Sequence, residues 1–432
     1  MTSVWTQTAE LPRFPALEGD LKTEVLIIGG GAAGLLCAYF LEQEGVDYAL
    51  VEADRICGGI TKNTTAKVTA QHGLIYEKLI QEFGLPKASL YLQANQEALK
   101  RYRSLCQTIG CEFQEKDAYV YSRRDRQKLR REAAALGKLG FPARFTETVP
   151  LPFPVAGAVQ FPRQGQFHPL LFFGGIARGR NIYEHTKVQE LAPGRAKTTG
   201  GIITAEKIIV ATHFPILNKH GGYFLKLYQS RSYVLALENA PELDGMYVDE
   251  DQKGLSFRNE NGLLLLGGGG HRTGKKGGGW QELEAFARRH WPAAKEAARW
   301  AAQDCMTLDG VPYIGEYSQG TRGLYVVTGF NKWGMTSAMV GATLLTDLVL
   351  QRKNPYAPVF APSRSILRPQ LAANLLESTI GLLTPTVPRC PHMGCALHYN
   401  PAEHSWDCPC HGSRFGENGQ LLDNPATDDK QM

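Results

Sequence analysis

Apolar and polar positions along this chain set out alternating strands and helices from the start. Glu24–Gly29 is a short apolar run read as a strand, Ala32–Glu44 carries a helical pattern, and Tyr48–Glu52 reads as a second strand. Strand, helix and strand in that order make a βαβ unit. Helical patterns follow at Tyr76–Phe83 and Leu90–Ile109, then a strand at Ala118–Ser122 and a charged helix at Arg124–Leu136. Further strands are predicted at Lys207–Ala211, Arg231–Leu237, Leu255–Arg258 and Leu263–Leu266, the last two flanking an Asn-Glu-Asn-Gly hairpin turn. Helices are predicted at Glu282–His290 and Ala293–Gln303, a strand at Leu324–Thr328 and a long helix from Gly334 to Leu350. A proline-bearing linker runs from Asn354 to Pro362, and a short helix is expected at Pro369–Leu376.

Composition changes this picture little. A length of 432 residues suggests two to four domains, and 43% hydrophobic content is ample for a core. The net charge of +5 argues for neither nucleic acid nor membrane as a partner. It is unevenly spread: from Cys390 onward six acids face two basic residues. Met1–Asp20 lacks the pattern of a secretory signal, and no apolar run reaches the ~20 residues of a membrane span. A cytoplasmic protein is therefore expected. Four of its nine cysteines fall between Cys390 and Cys410, which in a reducing compartment points to metal before structural disulfides.

Gly29-Gly30-Gly31-Ala32-Ala33-Gly34 follows the first strand and opens the first helix. Glycines at these places allow a tight turn, close approach of backbone N–H groups to a pyrophosphate, and close packing of helix on strand. Glu52, ending the second strand, is placed to accept ribose hydroxyls, which favours FAD or NAD over NADP. The bland alternative is a glycine-rich turn without a ligand.

Four further segments narrow the choice to FAD. Arg55-Ile-Cys-Gly58-Gly59-Ile-Thr61 resembles the second glycine loop of the D-amino-acid oxidase/glycine oxidase superfamily, and Lys207-Ile-Ile-Val-Ala211-Thr212 resembles its later closing strand. Asp309-Gly-Val-Pro-Tyr-Ile-Gly and Leu324–Met335 resemble its C-terminal signature. The resemblance implies an FAD site made by Gly29, Gly31, Ala33, Gly34, Glu52, Arg55, Gly58, Gly59, Thr61, Ala211, Thr212, Gly329, Trp333, Gly334 and Met335. It also implies a Rossmann-like α/β FAD domain assembled from residues 1–85, 150–225 and 300–352. A β-rich substrate domain (86–149 and 226–299) is inserted, and a linker (353–380) leads to the C-terminal segment.

That segment carries Cys390-Pro-His392-Met-Gly-Cys395 and, after a gap, Cys408-Pro-Cys410-His411. Two thiolates on one iron and two imidazoles on the other define a Rieske [2Fe–2S] centre. A structural zinc site is the alternative, but the one-residue Cys-x-His gap suits zinc poorly. In Rieske proteins the remaining cysteines, here Cys395 and Cys410, form a disulfide. Only 39 residues separate Leu350 from Cys390, so the Rieske β-domain of 381–432 looks shortened and is expected to lean on the flavin half. The whole resembles bacterial FAD-dependent oxidoreductases with a C-terminal Rieske segment.

This combination implies dehydrogenation of a small, amine-type substrate at FAD, with electrons leaving singly through the cluster to an external acceptor. Reverse flow into a flavin reductase or monooxygenase, and a redox sensor, are the alternatives. Where glycine-oxidase-like members place a carboxylate-binding arginine, this chain has Asp304, read equally as a repelling acid or an exposed helix-end residue. His271, after a glycine run, is the first candidate for acid/base work, and Lys67 is either a cation beside the flavin or a solvated loop lysine. His72 reads as a packed polar residue, His398 and His404 as surface residues. Cys305 lies near a covalent flavin site of some relatives, although noncovalent FAD is expected. Cys37, Cys57, Cys106 and Cys111 read as small buried residues.

Overall fold

The computed structural model describes residues 2–217, 220–251, 253–385 and 388–430. Leu21–Ile28 lies at the centre of the first sheet, parallel to Tyr48–Val51 on one side and Ile202–Val210 on the other, with Leu324–Thr328 beyond. Because helices cover a parallel sheet, its strands are continuous apolar runs rather than alternating ones. Val25, Leu26 and Ile27 are accordingly fully buried. Helices Ala32–Gln43 and Gly334–Val349 pack on each other, and both begin at the C-terminal edge of this sheet. Crevices at such edges are where ligands bind in open α/β sheets.

The second sheet runs in the order Lys295–Thr307, Leu227–Glu238, Leu263–Arg272, Ser256–Glu260, Met246–Asp249, Gln114–Ser122, Gly157–Gln166 and Lys67–Val68. Lys67–Val68 and Gly157–Gln166, expected within the FAD segments, thus join the substrate-side sheet. The helix expected at Ala293–Gln303 is instead strand Lys295–Thr307. Alanine favours helix locally, but this segment pairs with the whole of Leu227–Glu238, from Leu227↔Thr307 to Glu238↔Lys295. Ladder pairing and burial of Trp300 outweigh a propensity of a few tenths of a kcal/mol per residue. The two helical patterns after Tyr76 form Tyr76–Thr108, broken at Gly84 (φ +78°) just before Pro86. Cys106 and Cys111, read from the sequence as small buried residues, are joined in a disulfide.

A third, four-stranded meander is made by His398–Asn400, Ser405–Asp407, Arg414–Gly416 and Leu421–Asp423. Its strands are three residues each and its apolar core is small, centred on Leu397, Phe415 and Ala426 beside the cysteines. So small a core needs outside support. It comes from the second sheet through a buried ionic cluster. Arg231 reaches Glu403 through two hydrogen bonds, and Arg414 binds Glu403, Asp407 and Asp423. Among the described residues no helix is long and apolar enough to cross a membrane.

Candidate flavin cavity and cluster site

A cavity of about 820 Å³ opens where the first and second sheets meet, within the range of cofactor clefts. Its wall includes Gly29, Gly31, Ala33, Glu52, Gly58, Gly59, Thr61, Ala211 and Thr212 on one side, and Gly329, Trp333, Gly334 and Met335 on the other. Gly29 sits at φ +110°, and a Cβ there would lie 2.7 Å from the Ala211 oxygen. A Cβ on Gly34 would come within 1.9 Å of the Gly29 oxygen, so helix and strand approach as the fingerprint requires. The N-terminus of Ala32–Gln43 faces the cavity, a fixed partial positive charge suited to a pyrophosphate. Glu52 accepts hydrogen bonds from the Gly30 N–H (2.6 Å) and the Asp54 N–H (3.0 Å), while burial pushes its carboxyl above the usual range. Thr61 Oγ1 accepts from the Ala32 N–H at 3.1 Å. These residues fit a dinucleotide. Two of the sequence candidates act behind the wall: Gly34 packs the helix, and Arg55 pairs with buried Glu184 at 3.1 Å.

The catalytic candidates separate. Lys67 lines the cavity, its Nζ 3.1 Å from Thr65 Oγ1; burial, reinforced by the nearby Arg258 charge, brings its ammonium down to about 7. It is a cavity cation, not a solvated loop lysine. His271 does not line the cavity: its ring stacks on Tyr233 at 5.7 Å and packs against Gly278. Gly269, at φ +63°, interrupts the strand's regular pleat two residues earlier, and His271 Nδ1 lies 3.4 Å from its oxygen. His72 is wedged between Tyr91 and Thr336, stacked on Trp333, and burial drops its imidazole to about 3; it is a packed neutral ring. Asp304, on a strand and not at an exposed helix end, lines the cavity, and burial raises its carboxyl. Cys305 is buried and its thiol is pushed up to about 12, the wrong direction for a nucleophile.

In the C-terminal segment Cys390 and Cys408 are buried side by side, and Cys395 is bridged to Cys410. A shared hydrogen bond lowers the Cys390 thiol and, together with burial, raises the Cys408 thiol, so the pair gives up a first proton readily and holds the second. The His392 and His411 rings stand 5.0 Å apart and nearly perpendicular, and burial brings them to about 4 and about 3. Neutral imidazoles and an easily ionised thiol are what a metal centre needs. His411 Nδ1 is buried without a hydrogen-bond partner among the described residues, an orphan that ligation would satisfy. The donor set therefore fits the cluster.

The description of the FAD dependent oxidoreductase family matches residues 24–348, and that of the Rieske [2Fe-2S] domain matches residues 376–431. The chain belongs to the FAD-dependent oxidoreductase family. It carries a C-terminal Rieske domain, and its cofactors are FAD and a [2Fe–2S] cluster. A Bacillus subtilis (strain 168) chain named as a Rieske 2Fe-2S iron-sulfur protein, YhfW, is 35% identical over 98% of this chain and 95% of its own length. The gamma-glutamylputrescine oxidoreductase of Escherichia coli (strain K12) is 23% identical over 78% of this chain and 85% of that protein. The crystal structure of glycine oxidase from Geobacillus kaustophilus shares the fold, with a TM-score of 0.67 at 22% identity, over 80% of this chain and 99% of that one.

In this oxidoreductase the two redox sites adjoin. Asp423, at the end of the last strand, and Asn424, Ala426 and Thr427 just after it form part of the flavin cavity wall, with Ala426 packed in the core of the cysteines. Gln229 donates to the carbonyls of His411 (3.2 Å) and Asn424 (2.8 Å), and Gln303 to that of Gly412 (2.9 Å). Arg272 donates to the carbonyls of Pro409 and Cys410 at 3.0 Å each. Phe214 meets His392 edge-on at 6.4 Å, and Phe224 meets His411 at 6.2 Å. Sequence reading did not single out His213, Phe214, Gln229 or Lys332. Lys332 (φ +72°) follows Asn331 (φ +51°) in two successive left-handed residues and lines the cavity beside Asp304, its Nζ 3.1 Å from Ser232 Oγ. Leu324–Met335 was read as one flavin signature, in which Lys332 carried no signal of its own.

Proposed function

We propose that this FAD-dependent oxidoreductase oxidises a small, amine-type substrate at the flavin and sends the electrons singly through its Rieske cluster to an external one-electron acceptor. The observation that carries this reading is the shared wall: Asp423, Asn424, Ala426 and Thr427 belong to the Rieske segment and line the flavin cavity. A cluster held there is a neighbour of the flavin in every molecule, with no docking step between them. Bound FAD supplies two-electron chemistry and the cluster one-electron chemistry.

The chain's own residues divide the remaining work. Gly29, Gly31 and the Ala32–Gln43 N-terminus hold the pyrophosphate, and Glu52 the ribose. Lys67 and Lys332 give the cavity cations that favour a reduced, anionic flavin, and Asp304 gives it a carboxylate suited to a substrate ammonium. Arg231 and Arg414 keep the cluster segment docked. The names of a gamma-glutamylputrescine oxidoreductase, a glycine oxidase and an L-proline dehydrogenase among the similar proteins support an amine-type substrate.

An anaerobic screen of glycine, N-methylglycine, proline and short diamines tests this. A substrate should bleach flavin absorbance first and produce the reduced-cluster EPR signal next. Cluster reduction by an external reductant that then drives flavin reduction, with no amine bleaching the flavin, would reverse the assignment.

A further inference from the structure

We propose that His213 is the proton acceptor at the junction of the two redox sites, taking up the proton that reduced flavin releases as its electrons pass to the cluster. This rests on the flavin-to-cluster direction given above. His213 directly follows the end of the flavin sheet, lines the cavity, and precedes Phe214, whose ring meets the cluster ligand His392. It is held at φ +64°, and its carbonyl accepts from Thr328 Oγ1. The buried ring has the Gln229 side chain and the Gln303 backbone within hydrogen-bonding reach, and both favour its protonated form. Gln229 already spends its amide N–H groups on the carbonyls of His411 and Asn424. With those N–H groups engaged, Gln229 offers the ring its Oε1, an acceptor for a proton arriving on the imidazole.

The charges around the ring favour its uptake. Asp304 faces it from the second sheet and Asp423 from the Rieske segment. Lys332 offsets Asp304, and Arg231 and Arg414 offset Asp423, so the two acids are shared but not cancelled. Burial keeps the resting ring below the ordinary imidazole range while both carboxylates pull it up, which leaves it neutral and able to accept. In the step itself a flavin N–H bond breaks and a His213 N–H bond forms. The two electrons go to the cluster one at a time, each passed to the external one-electron acceptor before the next arrives.

The test is spectroelectrochemistry of the holoenzyme across pH. The flavin midpoint potential should show an inflection that disappears in His213→Gln, moves to lower pH in Asp304→Asn, and persists in His271→Gln. Flash-induced flavin-to-cluster transfer should slow about 100-fold in His213→Gln. FAD content and the cluster EPR signal check that the variant is intact, and if His213→Gln loses either, the shift in Asp304→Asn decides. An inflection unchanged in both variants overturns the proposal. A wild-type cluster that stays oxidised beside reduced flavin would instead overturn the electron route, while the inflection still reports on His213.

Discussion

Replacing Glu403 by Gln should loosen the Rieske segment and leave the flavin half intact. Glu403 is only 6% exposed and lies between Arg231 (7%) and Arg414 (5%). Burial alone would raise its carboxyl, but the hydrogen bonds and charge of Arg231, with the charge of Arg414, take it from 4.5 down to about 2. A lowering of that size corresponds to about 3 kcal/mol at ~1.4 kcal/mol per pH unit. Because the folded-state value is depressed, this stabilisation is complete above pH 4.5 and is lost as pH falls toward 2. At pH 7 the Gln variant should therefore lose about 3 kcal/mol, a cost in keeping with breaking a buried ion pair. With a urea dependence of about 2 kcal/mol/M, the transition followed by the cluster's visible circular dichroism should move down by about 1.5 M. Flavin fluorescence reports the other half and should keep its midpoint. A cluster transition that moves by less than about 0.3 M, or two transitions that move together, would refute the view that this ionic cluster docks the domain.

Cys390→Ser and His411→Ala should each abolish the cluster's EPR signal while FAD content stays near stoichiometric, because the two ligand sets are separate; joint loss of both cofactors would contradict this. Gly34→Ala should lower FAD content sharply, since its Cβ would fall 1.9 Å from the Gly29 oxygen, and dialysis against free FAD reads the result. Lys67→Met should remove a pH dependence centred near 7. In the wild type the ammonium is charged below about 7 and neutral above it, so flavin reduction should be faster on the acid side, and the variant's rate should be low and flat.

Much of this was legible in the sequence because both cofactor sites are built from short contiguous motifs. Gly29–Gly34, Glu52 and Cys390–His411 each carry their chemistry within a few residues of one another, and Gly29, Gly31 and Glu52 line the cavity. What escaped depends on distant pairing. Lys295–Thr307 reads as helix until Leu227–Glu238 is laid beside it, and that error alone turned Asp304 from a cavity residue into a possible helix end. His271 was favoured because the resembled family's substrate domain faces the flavin there, yet its ring stacks on Tyr233 and is not part of the cavity wall. His213 gains its meaning from three elements at once: the first sheet, the strand carrying Gln229 and the loop carrying Asp423. Arg231 and Glu403, 172 residues apart, had no local signature at all.

The central claim is that flavin and cluster exchange electrons within one molecule. Flash photoreduction of the flavin, with cluster reduction followed by its visible and EPR signals at several protein concentrations, tests it most directly. The account predicts that flavin reoxidation and cluster reduction share one rate, independent of concentration. A cluster that remains oxidised, or a rate that rises in proportion to protein concentration, would contradict it.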